Sequence, residues 1–379
     1  MAFDFVGQLK RTIESWLLSD NLGSSNYTDA NIANRSFVES FGIEEMCLIE
    51  MYDDEQGVYF TPSIIGKCLS FKKKNIDGVF LEELTGLIKD KLPKGYGVQI
   101  FSYGYKDSLE GHEFLLSVSC SGGIEKKEEI DSLVETFDGI ESSIKDIADD
   151  TFKVSPSFLL DYINRIFFPE EQFTSVVCPY YQNDKLIREQ LIKSEDTVEV
   201  SCKSDRIHYL NKKTNKSYSS SLLGVQQYPI LKDEQRLDVD FYNNVLKGEN
   251  TENDPEIIMV SVGVYNPKEE YKEKPTVSEI MGNKIGVYSF ICCFSQNDPK
   301  ERILDNVEKV KDKLSHIDYK YSVIKNRQLG ALSMFIPLHL DSNIINQIEK
   351  MKVLHRVSEL SRTDFLPLLF CLNQDKESE

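Results

Sequence analysis

The feature that most constrains this chain is an order of local patterns that comes round twice. In the first half, short β-prone runs flank the turn cluster Asp53-Asp54-Glu55-Gln56-Gly57,. A helical period follows over Val79–Ile88 and is stopped by Leu92-Pro93-Lys94-Gly95,. Strand patterns come next at Gly97–Tyr103 and Glu113–Cys120, and an acidic helical stretch runs from Glu125 to Ile147,. The second half gives strand patterns at 197–202, 206–209 and 218–228, then a helical pattern at 238–246. Strands at 257–265 and 284–294, a charged helix at 300–314 and a strand at 319–324 complete it.

That succession, β-α-β-β-α and then β-α-β-β-α-β, is the order of a split βαβ or ferredoxin-like sandwich. It predicts an α+β fold of two consecutive mixed sheet-plus-helix modules. The expected divisions are an amphipathic helix and linker at 1–35, a first module at 36–195 and a second at 196–325. A helical connector with a mobile, charged tail is expected at 326–379, its helix spanning 344–357,.

Composition limits what these modules do. Lys and Arg number 44 against 62 Asp and Glu, and 44 − 62 leaves a net charge of −18. Non-specific nucleic-acid binding and adsorption to anionic lipid both need a basic face, so the acidic excess speaks against direct contact with either. With 40% apolar and 11% aromatic residues, the 379-residue chain carries enough hydrophobic sequence for sizeable cores,. No apolar run reaches the roughly 18 residues of a membrane-spanning helix. The opening MAFDFVGQLKRTIESWLLSD has an early Asp4 and an interrupting Glu14, unlike a signal peptide,. A cytoplasmic protein is expected.

The chain is poor in recognisable chemistry. Its eight cysteines are scattered without a C-x-x-C pair, and Phe290-Ile291-Cys292-Cys293-Phe294 shows them among apolar neighbours, as buried reduced thiols would be,. None of the five histidines forms H-E-x-x-H, so neither a metal site nor a cofactor site is expected,. A phosphate-cradling loop needs G-x-x-x-x-G-K-[ST]; around Gly66-Lys67-Cys68 the first glycine is Thr61 and the hydroxyl residue is Cys68,. A strand after Pro62-Ser63 fits better. Ser121-Gly122-Gly123 lacks the frame of a nucleophile elbow,. The carboxylate runs at 53–55, Glu170-Glu171 and Asp238-Val239-Asp240 are what a strongly acidic chain produces by chance or at a helix N-terminus,. No catalytic residue is assigned.

Phe5, Leu9, Ile13 and Trp16 lie at helical spacing with Lys10, Arg11 and Glu14 between them,. They are the candidate partner-docking residues, either against a membrane-associated protein or over an edge of their own domain.

A longer-range order gives a resemblance. Phe41-Gly42-Ile43 leads through Tyr52–Tyr59 to the Ile64–Phe71 strand and then to Leu84–Gln99 (LTGLIKDKLPKGYGVQ). Further on come Ile166-Phe167-Phe168-Pro169, Leu186–Leu191 (LIREQL) and Ser220–Pro229 (SSLLGVQQYP). Arg327–Pro337 (RQLGALSMFIP) and Arg362–Leu369 (RTDFLPLL) follow. In this order the pieces resemble the N-terminal region of TraC-type (F-type) conjugative transfer ATPases, which belong to the type IV secretion assembly ATPases.

The resemblance implies a docking and oligomerisation region of a conjugative pilus-assembly and DNA-transfer machine. Its implied partners are other copies of itself and inner-membrane components of the type IV secretion system, met at the cytoplasmic face of the inner membrane. It also implies that a P-loop motor domain follows this region. The chain is thus expected to be the front part of a longer motor and, by itself, not an enzyme. Two alternatives remain: part of a split or larger ATPase contributing to ATP turnover, or an unrelated α+β protein-binding module. One sheet running unbroken through both halves would favour the last.

Overall fold

In a computed structural model of the chain, the described residues are 47–51, 54–60, 64–74, 76–103, 112–122, 127–154, 162, 198–229, 257–268, 284–296, 300–315, 319–337, 340 and 342–368. The expected N-terminal amphipathic helix, with Phe5, Leu9, Ile13 and Trp16, lies outside them, as do the helix at 238–246 and the tail after 368.

The first half opens with a hairpin, β1 (Cys47–Met51) and β2 (Asp54–Phe60), in which Met51 pairs with Asp54, so Asp54-Glu55-Gln56-Gly57, expected as a turn, are strand residues instead. Strand β3 (Ile64–Lys73) follows. Helix α1 (Gly78–Lys91) begins at Asp77, whose carboxylate accepts from the Phe80 amide at 2.9 Å, and Pro93 lies just past its end at Leu92,. Then come β4 (Tyr96–Tyr103), β5 (His112–Ser121), helix α2 (Lys127–Ile147) and the short strand β6 (Asp150–Lys153).

The second half repeats the plan. A hairpin of β7 (Val198–Cys202) and β8 (Ile207–Asn211) leads into β9 (Lys216–Gln227). Strands β10 (Ile257–Asn266) and β11 (Ile285–Gln296), helix α3 (Lys300–Ser315) and the short strand β12 (Lys320–Val323) follow.

Within each half the antiparallel neighbours run in one order: β6-β3-β5-β4 in the first and β12-β9-β11-β10 in the second. This is the 4-1-3-2 order of a ferredoxin-like module. The likeness extends further. The outer edge of β3 is shared by β2 and β6, and that of β9 by β8 and β12.

The halves join through β4 and β10, which pair antiparallel along their whole length from Tyr96–Asn266 to Tyr103–Met259. A single 13-stranded sheet results. The strands of the two halves therefore belong to one sheet.

Both faces of the sheet are covered, which explains why β11 reads as a nearly continuous apolar run. On one face Leu69, Phe71, Val98, Ile100, Val262 and Ile291 pack beneath α1, α2 and α3. On the other, Phe101, Tyr209, Tyr218 and Phe290 pack against residues of α4 (Gln328–Ser333) and α5 (Ser342–Lys350).

The expected helix at 344–357 is corrected here. It stops at Lys350, Lys352 takes a φ of 60°, and residues 355–357 form β13 (His355–Val357), paired with Ile285–Val287 of β11. The ladder positions left open at the end of β11 outweigh the helical period of that stretch. After β13 the chain reaches the helix-bearing face, where Phe365, Leu366 and Leu368 enter its core.

Candidate functional site

Two polar constellations on the sheet stand out. The first lies on the junction of the halves. Gln99 of β4 donates through Nε2 to the Tyr288 hydroxyl at 3.0 Å and accepts at Oε1 from Ser117 of β5 at 3.3 Å. Ser261 of β10, facing the same side, donates to the Met334 carbonyl at 2.7 Å. Gln99 and Tyr288 stand on strands separated by β10, and Gly263 of β10 is opposite both. A Cβ at Gly263 would sit 2.0 Å from Tyr288 Cε1, so the missing side chain is what lets Tyr288 reach across,. Burial pushes the Tyr288 hydroxyl well up, beyond use as a base near neutrality,.

The second constellation lies on the helix-bearing face, where the end of β9, β13 and the 3-10 turn Arg362–Phe365 meet. Tyr228 stacks edge-on against His355 with ring centroids 4.5 Å apart, and its hydroxyl lies 2.6 Å from Ser289 Oγ. His355 Nε2 lies 3.0 Å from the Val225 carbonyl. A carbonyl only accepts, so this nitrogen carries the proton. Tyr319 packs edge-on to Tyr228 and donates to the Thr363 carbonyl.

Asp364 closes the group. Its Oδ2 accepts from the Ser361 amide at 2.9 Å while Ser361 Oγ accepts from the Thr363 amide, a reciprocal capping box,. Burial pushes the Asp364 carboxyl up to about 6, against the opposing effect of the Ser361 amide. Burial also lowers the His355 pKa and raises that of Tyr228, the latter with help from the Asp364 charge. The group holds a carboxyl able to exchange a proton in mildly acidic conditions, in one cluster with a histidine whose protonation burial disfavours.

The residues weighed from the sequence fall elsewhere. Gly66-Lys67-Cys68 lies inside β3, and Lys67 is fully buried with Nζ 5.0 Å over the Phe137 ring, as a strand requires and a phosphate loop does not. Cys68, Cys120, Cys202, Cys292 and Cys293 are free and buried, with burial pushing Cys292 and Cys202 up to about 12. Among the described residues no group of three or more His, Cys, Asp or Glu could hold a metal ion, and no described helix is long and apolar enough to cross a membrane. Sequence reasoning did not find the Tyr228, His355 and Asp364 group. Only the capping pattern Ser361-x-x-Asp364 and the Tyr228-Pro229 strand end hinted at it, 133 positions apart (361 − 228).

No family model matches the chain, and no curated protein matches it. Among solved structures, one that it resembles weakly is the crystal structure of 6-hydroxy-D-nicotine oxidase from Arthrobacter nicotinovorans. The match has 8% identity and a TM-score of 0.28, covering 78% of this chain and 52% of that one. This chain therefore spans about half the length of that neighbour.

The expectation that the chain is not an enzyme is set against this match to an oxidase, a likeness too weak to carry an activity to this chain. That expectation rested on missing short motifs, and a catalytic site can be assembled from residues far apart in sequence. At such a TM-score the likeness carries neither a substrate nor a cofactor across.

Proposed function

We propose that this chain is the docking and oligomerisation region of a type IV secretion assembly ATPase of the TraC type, serving conjugative pilus assembly and DNA transfer. The observation that carries this reading is the consistent order of the resembling segments from Phe41 to Phe370. It is supported by the way three segments distant in sequence meet on β9. From the segment 327–337, Gln328 accepts from the Leu222 amide at 2.9 Å. From the segment 362–369, Asp364 lies close enough to Tyr228 for its charge to act there. Leu222 and Tyr228 both belong to 220–229.

In this reading the partners are further copies of the chain and inner-membrane components of the secretion machine, met at the cytoplasmic face. The acidic surface favours basic protein partners over nucleic acid. Sedimentation of the purified chain, with pull-downs against its cognate motor domain and each inner-membrane subunit, tests it. Self-association or specific capture is expected. A monomer that captures none of them would end the reading.

A specific observation favours a second reading, an unrelated α+β protein-binding module: the sheet runs unbroken from one half into the other through β4 and β10. Capture of the cognate motor domain in the same pull-downs would count against it.

A further inference from the structure

The segment from Glu359 to Phe365 leaves the second half of the sheet and lies along α1 of the first. Glu359 pairs with Lys89, and Arg362 Nη1 reaches Glu82 Oε1 at 3.3 Å. On the other side the Tyr319 hydroxyl holds the Thr363 carbonyl, and Phe365 is fully buried. The ion pair at Lys89 is solvent-exposed and adds little. The seat depends mainly on the buried turn, and a carboxyl group stands inside that turn.

We propose that residues 359–365 form a proton-operated strap between the two halves of the sheet, seated while Asp364 is protonated and loosened as Asp364 ionises. The groups facing Asp364 give its charge little compensation. Tyr228, the residue after β9, presents a neutral ring whose hydroxyl is engaged with Ser289 of β11. His355 from β13 packs on Tyr228, and burial disfavours its protonation. Tyr319, leading into β12, spends its hydroxyl proton on Thr363. Arg362 of the same turn is matched by Glu82 of α1, while its buried Nη2 makes no hydrogen bond among the described residues. Among the described residues, the Ser361 amide is the one donor to the carboxylate.

Seated, the carboxyl group holds its proton up to about pH 6. Released into water it would return to an ordinary carboxylate range, so each deprotonation favours the open strap. This device stands independently of the docking reading.

Hydrogen exchange of the whole chain, followed by mass spectrometry of a peptide spanning 359–366, tests it after correction for intrinsic exchange. Between about pH 5 and about pH 7.5, strap protection should fall on the order of tenfold. Asp364→Asn, which keeps the acceptor and loses the charge, should abolish that fall. Glu82→Gln should lower protection at both values and leave the fall intact, and His355→Gln should also leave it intact. Flat wild-type protection would overturn the proposal without any variant. Persistence of the fall in Asp364→Asn, or its loss in His355→Gln, would overturn the assignment to Asp364.

Discussion

Replacing Gly263 by alanine isolates the junction between the two halves. In an ordinary strand position the exchange is stabilising, because alanine loses less backbone freedom on folding, by roughly 0.5–1 kcal/mol. Here the new Cβ would lie 2.0, 2.2 and 2.5 Å from Cε1, Cζ and Oη of Tyr288, which is fully buried and has Phe290 against its ring. The ring cannot yield without displacing close-packed neighbours, an overpacking cost of about 1–3 kcal/mol. Displacement also breaks the bond from Gln99 and leaves a buried amide short of a partner, about 1–3 kcal/mol more,. Set against the backbone gain, the net loss is on the order of 3 kcal/mol. Urea unfolding monitored by circular dichroism measures it, and the same exchange in a Tyr288→Ala background provides the control. There the space is free and the alanine should cost almost nothing. A Gly263→Ala variant as stable as the parent, or an equal loss in both backgrounds, would refute the idea that Gly263 exists to admit Tyr288.

Other perturbations probe the remaining features. Gln328→Ala should cost about 2 kcal/mol in the same unfolding assay, because it strips the buried Leu222 amide of its side-chain acceptor,. Cys292 and Cys293 should resist a thiol-alkylating reagent near neutral pH until denaturant is added, and peptide mass analysis would reveal any labelling of the native chain,. Because its folded pKa is raised, Asp364 contributes stability that is fully present below its ordinary value and lost as pH rises toward about 6,. His355, with its pKa lowered, contributes stability present above its ordinary value and lost as pH falls below it,. Comparing unfolding midpoints across that interval, Asp364→Asn should remove the first slope and His355→Gln the second.

The order of elements was legible because each relies on local periodicity. Helix α1 carries its own cap at Asp77 and its own stop at Pro93, and β10 and β11 are long apolar runs. Two short elements, β6 and β13, were not legible, because tertiary partners make them. Strand β6 is four residues, DTFK, held by pairing with Leu69–Lys72, and β13 is three residues completing the free length of β11. The connection between the halves was hidden for a related reason. Nothing in GVQIFSY states whether its second edge meets water or another strand, and only the small Gly263 opposite Gln99 marks a close approach. The Asp364 group was least visible, since burial, not residue type, gives that carboxyl its character.

The join of the two halves also bears on how partners can approach. A ferredoxin-like module on its own leaves its second strand at an open edge, with a row of unpaired amides and carbonyls that invites another chain. Here the two such strands, β4 and β10, satisfy one another along eight residue pairs, closing both edges with one ladder. At the far side of each half a hairpin is laid against the first strand, β1–β2 beside β3 and β7–β8 beside β9. The ends of the described strand order are thus β1 and β7. Strand addition by a partner is excluded at the centre of the sheet, because it would have to break the β4–β10 ladder and the Gln99–Tyr288 bond across it. Under the proposed docking role, strand addition among the described residues is therefore left to the outer hairpins, and other contact meets the helices on the two faces.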